Sequence, residues 1–85
     1  MSSPFKTVGA SVEDAVRDAI VAAIPGASAE VRGSGGHFAI KVVSEAFDGK
    51  SLLQKQRLVY RAIAPFMDGP NAPVHSVDTL ETLTP

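Results

Sequence analysis

Apolar and polar residues alternate with two different periods along this chain, and the changes of period divide it into helices and strands. Between Val12 and Ile24, apolar residues recur every three or four positions, which predicts an amphipathic helix. Ser11 precedes this segment, and the sequence Ser-Val-Glu-Asp resembles a capping box in which Asp14 replaces the usual Glu or Gln. The dipeptide Pro25-Gly26 ends the helix.

Two strands are predicted after this helix. The run from Phe38 to Val43 is rich in β-branched and aromatic residues and is the strongest strand signal in the chain. A shorter, weakly alternating run at 29–32 predicts a strand before it. The glycine-rich segment 33–36 predicts a flexible connection, so we expect the two strands to form a hairpin.

A turn and a capped helix start follow the second strand. Residues 45–46 predict a short helical turn, and Gly49 supplies the positive φ that a tight turn at 47–50 requires. Ser51 and Gln54 have the spacing of a second capping box. The main helix of the chain therefore begins directly after Ser51.

The long helix is predicted to have one apolar and one polar face. Because Pro65 lacks a donor and crowds the preceding turn, the helix is expected to kink or end near Ala64. A helical projection separates the two faces. The core face is predicted to contain Leu52, Val59, Ile63 and Phe66, and the solvent face Gln54, Arg57 and Arg61.

A loop at 68–73 leads to a last strand, which begins at Val74 and is predicted to continue to Leu83. The order helix, strand, strand, helical turn, long helix, strand predicts an α+β fold, a two-layer αββαβ sandwich with a three-stranded sheet. This is the order of a KH-like domain. Residues 11–85 are expected to form one domain, and 1–10, which lack periodicity, a flexible N-terminal arm.

Composition narrows the classes of protein that fit. Apolar residues make up 45% of the chain and charged residues 20%, as in a folded globular protein. Eight basic against nine acidic residues give a net charge of −1, so no global field favours nucleic acid or anionic lipid. The start lacks a signal-peptide pattern and no apolar run is long enough to span a membrane. We expect a soluble, cytoplasmic protein.

The candidate metal ligands are two histidines, His37 and His75, in a chain with no cysteine. Neutral imidazole binds zinc, copper and iron, but a closed metal site normally needs four ligands. Each histidine also fits a simpler interpretation as a polar residue at the start of a strand. Any iron–sulfur cluster would need thiolates from another molecule.

Basic residues gather on and before the long helix, namely Lys50, Lys55, Arg57 and Arg61. They fit either a solvated helix face or a docking surface for an acidic or polar partner. The segment 33–36 matches the GxxG pattern of KH domains, but it lies between strands instead of helices, which argues against nucleic-acid clamping. No nucleophile–base pair, P-loop or paired carboxylates are present, so the sequence does not predict an enzyme.

The stretch from His37 to Tyr60 (HFAIKVVSEAFDGKSLLQKQRLVY), joined by Val74-His75 and the ending Leu83-Thr84-Pro85, resembles the BolA family, in particular its IbaG-like branch. The resemblance implies an αββαβ, KH-like fold without the nucleic-acid GxxG. It also implies partnership with monothiol glutaredoxins. In such complexes a two-iron two-sulfur cluster is bridged by the glutaredoxin cysteine, a glutathione thiolate and ligands from the BolA-like protein.

The resemblance also implies ligand positions in this chain. The histidine that precedes the last strand in the family matches His75, and the second ligand is a Cys or His from the first strand-to-strand loop. The cysteine position of the family corresponds to Ser34, a poor ligand, and His37 is the nearby substitute. One residue more than expected separates His75 from Thr84-Pro85, which predicts a β-bulge in the last strand.

These features predict a non-enzymatic adaptor that binds a monothiol glutaredoxin and helps ligate a shared cluster in iron–sulfur trafficking or iron and redox signalling. The isolated chain is expected to carry no cofactor. The predicted partner surface consists of Gly49, Lys50, Lys55, Arg57 and Arg61. The alternative hypothesis is a DNA-binding transcriptional regulator that uses the KH-like fold and the basic helix face. Formation of a homodimer is left open.

Overall fold

The computed structural model describes residues 11–85, so the predicted arm at 1–10 lies outside the described residues. Its elements in chain order are α1 (Val12–Ala23), β1 (Ser28–Ser34), β2 (His37–Val43), a 3₁₀ turn (Glu45–Phe47), α2 (Leu52–Met67) and β3 (Ser76–Leu83). The strands form one sheet in the order β1-β2-β3. β2 pairs antiparallel with β1 and parallel with β3. The predicted α+β, αββαβ architecture is confirmed.

The core lies between the sheet and the two helices. In β2 every second residue is buried, so one face of the sheet points inward and the other is largely exposed. Each of the two helices contributes buried residues to the same cluster. The buried apolar residues of this cluster are Val16, Ile20, Ile24, Phe38, Ile40, Val42, Phe47, Val59, Ile63 and Val74.

The β1–β2 hairpin is tighter than the sequence pattern predicts. Ser34 pairs with His37, so only Gly35 and Gly36 form the turn, with φ of 61° and 84°. Two consecutive positive φ angles match the type I′ turn of two-residue hairpins, and glycine adopts them without steric cost. The prediction of a flexible connection over 33–36 is therefore wrong, because pairing with β2 draws Gly33 into β1.

β3 contains the predicted bulge. Phe38 pairs with Val77 and Ala39 with Thr79, so Asp78 has no partner on β2. The strand begins at Ser76, two residues later than the sequence pattern predicts. The bulge explains why Val77 and Leu80, which are an odd number of positions apart, both pack against the core.

α2 begins with the predicted capping box, in which Ser51 and Gln54 bond to each other's backbone N–H groups. The helix does not end near Ala64 but continues past Pro65 to Met67. Phe66 and Met67 pack against the core, which stabilises the last turn despite the missing donor. The carbonyl of Phe66 also accepts a hydrogen bond from the N–H of Val74 at 3.0 Å.

The predicted core face of α2 needs one correction. Val59 and Ile63 are fully buried and Phe66 is half-buried, but Leu52 is 62% exposed. A helical projection gives the direction of a side chain and not the extent of the surface that covers it. Leu52 therefore has the period of a core residue, but it is not among the residues that pack against the core.

Candidate functional site

The parallel pairing of β2 and β3 brings the two histidines to the same end of the sheet. His37 opens β2 and pairs with Ser76, the first residue of β3, and His75 directly precedes Ser76. The backbone N–H groups of His75 and Ser76 both donate to the carbonyl of Gly36, at 2.8 Å and 3.1 Å. The backbone therefore fixes both histidines beside the hairpin turn.

His75 is exposed, and its ring lies against Gly36. A Cβ built on Gly36 would overlap Cδ2 of the imidazole. Gly36 therefore has two roles. It adopts the positive φ that the turn requires, and its missing side chain leaves space for the His75 ring. Within residues 11–85, no hydrogen bond engages a ring nitrogen of His75, so its lone pair is accessible to a ligand.

His37 lies on the outer face of the sheet in a polar cluster that sequence reasoning missed. Its Nδ1 is 3.0 Å from Oγ of Ser76 and 3.3 Å from Oδ1 of Asp78. The Ser76 hydroxyl donates to the same carboxylate oxygen at 2.7 Å. The Ser76 hydroxyl, and after it the His37 ring, lowers the pKa of Asp78 below its ordinary value. We call these three side chains the His37 cluster.

No sequence signal alone could have identified this cluster. Asp78 approaches His37 because it is the extra residue of the β3 bulge, and the position of a bulge depends on strand register. The predicted bulge supplied part of the information. It did not indicate which side chain the extra residue would contact.

The donors present suit a metal group that is shared with another molecule. Among residues 11–85, no three His, Cys, Asp or Glu side chains are grouped so that they could hold a metal ion. The chain also has no cysteine. Two accessible imidazoles can complete a coordination sphere whose other ligands come from another molecule. They cannot by themselves supply the four ligands of a closed site. Ser34, which pairs with His37, offers a neutral hydroxyl at this end of the sheet and not a thiolate.

The predicted partner surface begins at the other end of the sheet. After β2, the N–H of Ser44 donates to the carbonyl of Leu83 at 2.9 Å, and Asp48 lines a surface opening together with Thr84 and Pro85. α2 then returns along the sheet towards His75. Its 16 residues span about 24 Å. The structure therefore does not place Gly49 and Lys50 beside the histidines.

The basic residues of α2 lie at successive positions along the helix, between the end of the sheet near Lys50 and the end that holds the histidines. Lys55 is half-buried in the first part of the helix, and Arg57 is exposed near its middle. Arg61 is exposed and is the nearest of the predicted cationic residues, along the helix, to the end that holds His75. A partner bound at the histidines would therefore meet Arg61 before Arg57 or Lys50.

Two apolar surfaces on α2 were not predicted. Leu52 and Leu53 are 62% and 55% exposed beside Lys50. Adjacent residues of a helix do not share a face, so a Leu-Leu pair in the first turn was a usable signal that at least one is exposed. At the other end of α2, an open depression of about 580 Å³ is lined by Tyr60, Ala64, Pro65, Met67 and Asp68. This depression lies towards the histidine end of the molecule.

Comparison with known proteins identifies the family. The family model described as BolA-like protein matches residues 7–85. This chain belongs to the BolA family. No curated protein matches the sequence significantly. The assignment to the IbaG-like branch stays a prediction.

Solved structures of BolA proteins have the same fold. A bolA protein homologue from Coxiella burnetii is 28% identical and covers 88% of this chain and 91% of its own, with a TM-score of 0.71. Mouse BolA1 is 33% identical, with coverage of 87% and 65% and a TM-score of 0.69. BolA1 from Arabidopsis thaliana, at 20% identity, has a TM-score of 0.71 over 86% of this chain and 90% of its own. The BolA fold is thus kept at low sequence identity.

One further observation concerns membranes. Across the part of the chain that the structure describes, neither helix has the length and apolar character needed to cross a bilayer.

Proposed function

We propose that this BolA-family chain is a non-enzymatic adaptor that binds a monothiol glutaredoxin and supplies imidazole ligands to a two-iron two-sulfur cluster shared by the two proteins. The observation that carries the proposal is the presence of two exposed imidazoles at one end of the sheet in a chain without cysteine. The thiolates then come from the glutaredoxin and from glutathione. The BolA-like family is in general non-enzymatic, which supports an adaptor role.

His75 is the main ligand in this proposal and His37 the second. Free ring nitrogens and the absence of a neighbouring side chain at Gly36 support the role of His75. Imidazole ligation gives a cluster a higher reduction potential than thiolates alone, and makes ligation dependent on deprotonated histidine. Such a cluster suits trafficking or iron and redox signalling in the cytoplasm.

The proposed partner surface follows α2 from the histidine end. A glutaredoxin that holds the cluster at His75 would first contact the depression lined by Tyr60 and Met67. Of the basic residues of α2, Arg61 is the nearest to this end along the helix. A larger interface would extend along the helix through Arg57 and Lys55. Contact with Gly49, Lys50 and the exposed Leu52-Leu53 pair requires a partner that covers most of the helix length.

Co-expression with a candidate monothiol glutaredoxin tests the proposal. We expect the two proteins to co-purify with a visible absorption and circular dichroism spectrum that differs from that of the glutaredoxin alone. His75→Ala should abolish the altered spectrum and leave the far-UV spectrum of the apo chain intact. The matched control is Glu81→Ala, which removes an exposed side chain from β3, the strand that His75 precedes. If the complex of His75→Ala has the same visible spectrum as the unmodified complex, His75 is not a ligand of the cluster.

The second candidate function is a DNA-binding transcriptional regulator. It is favoured by one observation: Lys50, Arg57 and Arg61 are exposed, and none forms an ion pair with an acidic side chain within residues 11–85. The GxxG segment does not support it, because Gly35-Gly36 forms a hairpin turn. Binding that falls steeply with salt and weakens in Arg57→Ala or Arg61→Ala is expected for this function. Undetectable or salt-insensitive binding rejects it.

A further inference from the structure

The side chains around Nδ1 of His37 favour one protonation pattern of the neutral ring, with the proton on Nδ1. The Ser76 hydroxyl directs its proton to Asp78, since their oxygens are 2.7 Å apart and an ionised carboxylate only accepts. The two neighbours of Nδ1 are then a hydroxyl lone pair, at 3.0 Å, and a carboxylate oxygen, at 3.3 Å. A nitrogen that faces two acceptors has to carry the proton. Otherwise its own lone pair would point at both of them.

This pattern decides which nitrogen of His37 remains available. A neutral imidazole carries one proton, so a ring protonated at Nδ1 has its lone pair at Nε2. Within residues 11–85 no hydrogen bond engages Nε2, and the side chain of His37 is 63% exposed. A carboxylate on the non-ligating nitrogen is also the common arrangement around metal-bound histidines, where it orients the ring and raises the basicity of the ligating nitrogen.

The β3 bulge supplies the carboxylate. Asp78 has no partner on β2 and is released from the regular ladder, while Ser76 is held in register with His37 itself. The two acceptors therefore reach the ring by different routes, Ser76 through strand pairing and Asp78 through the extra residue. The His37 cluster is thus a product of the local backbone and does not require a partner protein.

We propose that Ser76 and Asp78 are positioning residues that hold His37 with Nδ1 protonated and so make Nε2 the second ligand atom for the shared cluster. The orientation of the ring stands on the structure of this chain alone. Only the identity of the bound group rests on the function proposed above. Two measurements separate these two parts.

The first measurement uses the apo chain. Long-range ¹H–¹⁵N NMR spectra of histidine-labelled protein at about pH 8, where an ordinary histidine is neutral, distinguish the two tautomers of each ring. In the unmodified chain and in Glu81→Ala, we expect His37 to be protonated mainly at Nδ1. In Asp78→Ala the ratio of the Nδ1-protonated to the Nε2-protonated form should fall about fivefold. A factor of this size corresponds to the loss of one hydrogen bond of ordinary net strength. The tautomer ratio of His75 should not change.

Two results in the apo chain would overturn the positioning role. One is a His37 ring protonated at Nε2 in the unmodified protein. The other is a tautomer ratio that is the same in Asp78→Ala and in the unmodified protein. Amide NMR spectra of each variant verify that the fold is retained, and Asp78 is exposed, so its truncation leaves no cavity in the core.

The second measurement uses the complex with a monothiol glutaredoxin. Asp78→Ala should shift the visible circular dichroism bands of the shared cluster, whereas Glu81→Ala should not. A spectrum unchanged by Asp78→Ala and by His37→Ala overturns the assignment of Nε2 as a ligand. If the unmodified chain forms no cluster-bearing complex, the proposed function and the ligand assignment fail together. The apo spectra still decide whether Nδ1 of His37 carries the proton and whether Asp78 holds it there.

Discussion

The imidazole of His75 occupies the space that a side chain at Gly36 would fill. The two residues are also joined through the backbone, because the N–H of His75 donates to the carbonyl of Gly36 at 2.8 Å. The hairpin turn and the proposed main ligand therefore form one structural unit. A change in the turn is expected to move the ligand.

Replacement of Gly36 tests this coupling. Gly36→Ala introduces a Cβ that overlaps the His75 ring at a residue with φ of 84°, so the ring has to move. Gly35→Ala is the matched control, since Gly35 has φ of 61° but no atom within 4 Å of a built Cβ. Both variants should lose about 1–2 kcal/mol of stability through backbone strain. Only Gly36→Ala should change the NMR shifts of the His75 ring. Equal shifts in both variants would contradict the coupling.

Glu13 is expected to stabilise the fold by connecting α1 to β1. Its Oε2 accepts a hydrogen bond from the N–H of Gly33 at 2.7 Å, in a partly buried position. Glu13→Ala should lower the free energy of unfolding by about 1–2 kcal/mol, because the amide loses a charged acceptor. Urea denaturation measures this change. Glu30→Ala, at an exposed position on β1, should cost much less. Equal losses in the two variants would show that the contact contributes nothing specific.

The contrast between Leu52 and Ile63 tests the correction to the apolar face of α2. Ile63 is fully buried, so Ile63→Ala should cost about 2–5 kcal/mol of stability. Leu52 is 62% exposed, and Leu52→Ala should change stability by no more than about 0.5 kcal/mol. Chemical denaturation of both variants gives the comparison. A loss of more than about 2 kcal/mol in Leu52→Ala would show that Leu52 is a core residue and that the correction is wrong.

Thr82 offers a substitution that should increase stability. Its Oγ1 is buried and has no hydrogen-bond partner among the described residues. Thr82→Val keeps the shape of the side chain and replaces the hydroxyl by a methyl group, so it should add about 1 kcal/mol. The thermal unfolding midpoint should rise accordingly. Thr79→Val, on the exposed outer face, should leave the midpoint nearly unchanged. A lower midpoint for Thr82→Val would indicate that the hydroxyl is hydrogen-bonded in solution.

The elements with strong patterns were predictable from the sequence, whereas several of their ends, such as the end of α2 and the start of β3, were not. β2 combines β-branched residues with burial at every second position, and α2 has a complete capping box, so local signals and packing agree. The glycine-rich segment 33–36 predicts a loop at Gly33, yet pairing with Phe38 places this residue in β1. The tight turn had a signal in the Gly35-Gly36 dipeptide, which is typical of a type I′ hairpin.

The candidate site was predictable in its residues but not in its arrangement. Both histidines were expected at strand starts, and the parallel pairing of those strands brings them to one end. The separation of Lys50 from His75 follows from the crossover, since a helix that joins parallel strands has to return along the length of the sheet. The contact between Asp78 and His37 depends on which residue of β3 forms the bulge, and the expected extra residue between His75 and Thr84 does not specify that position.

The bulge at Asp78 behaves as an insertion that the strand tolerates. Val77 before it and Leu80 after it both keep their places against the core, so removal of residue 78 would restore a regular alternation without turning either side chain around. The packing of the core is thus the same whether or not the strand contains the extra residue. Loss of residue 78 would therefore remove the acidic group beside His37 while the same core is retained.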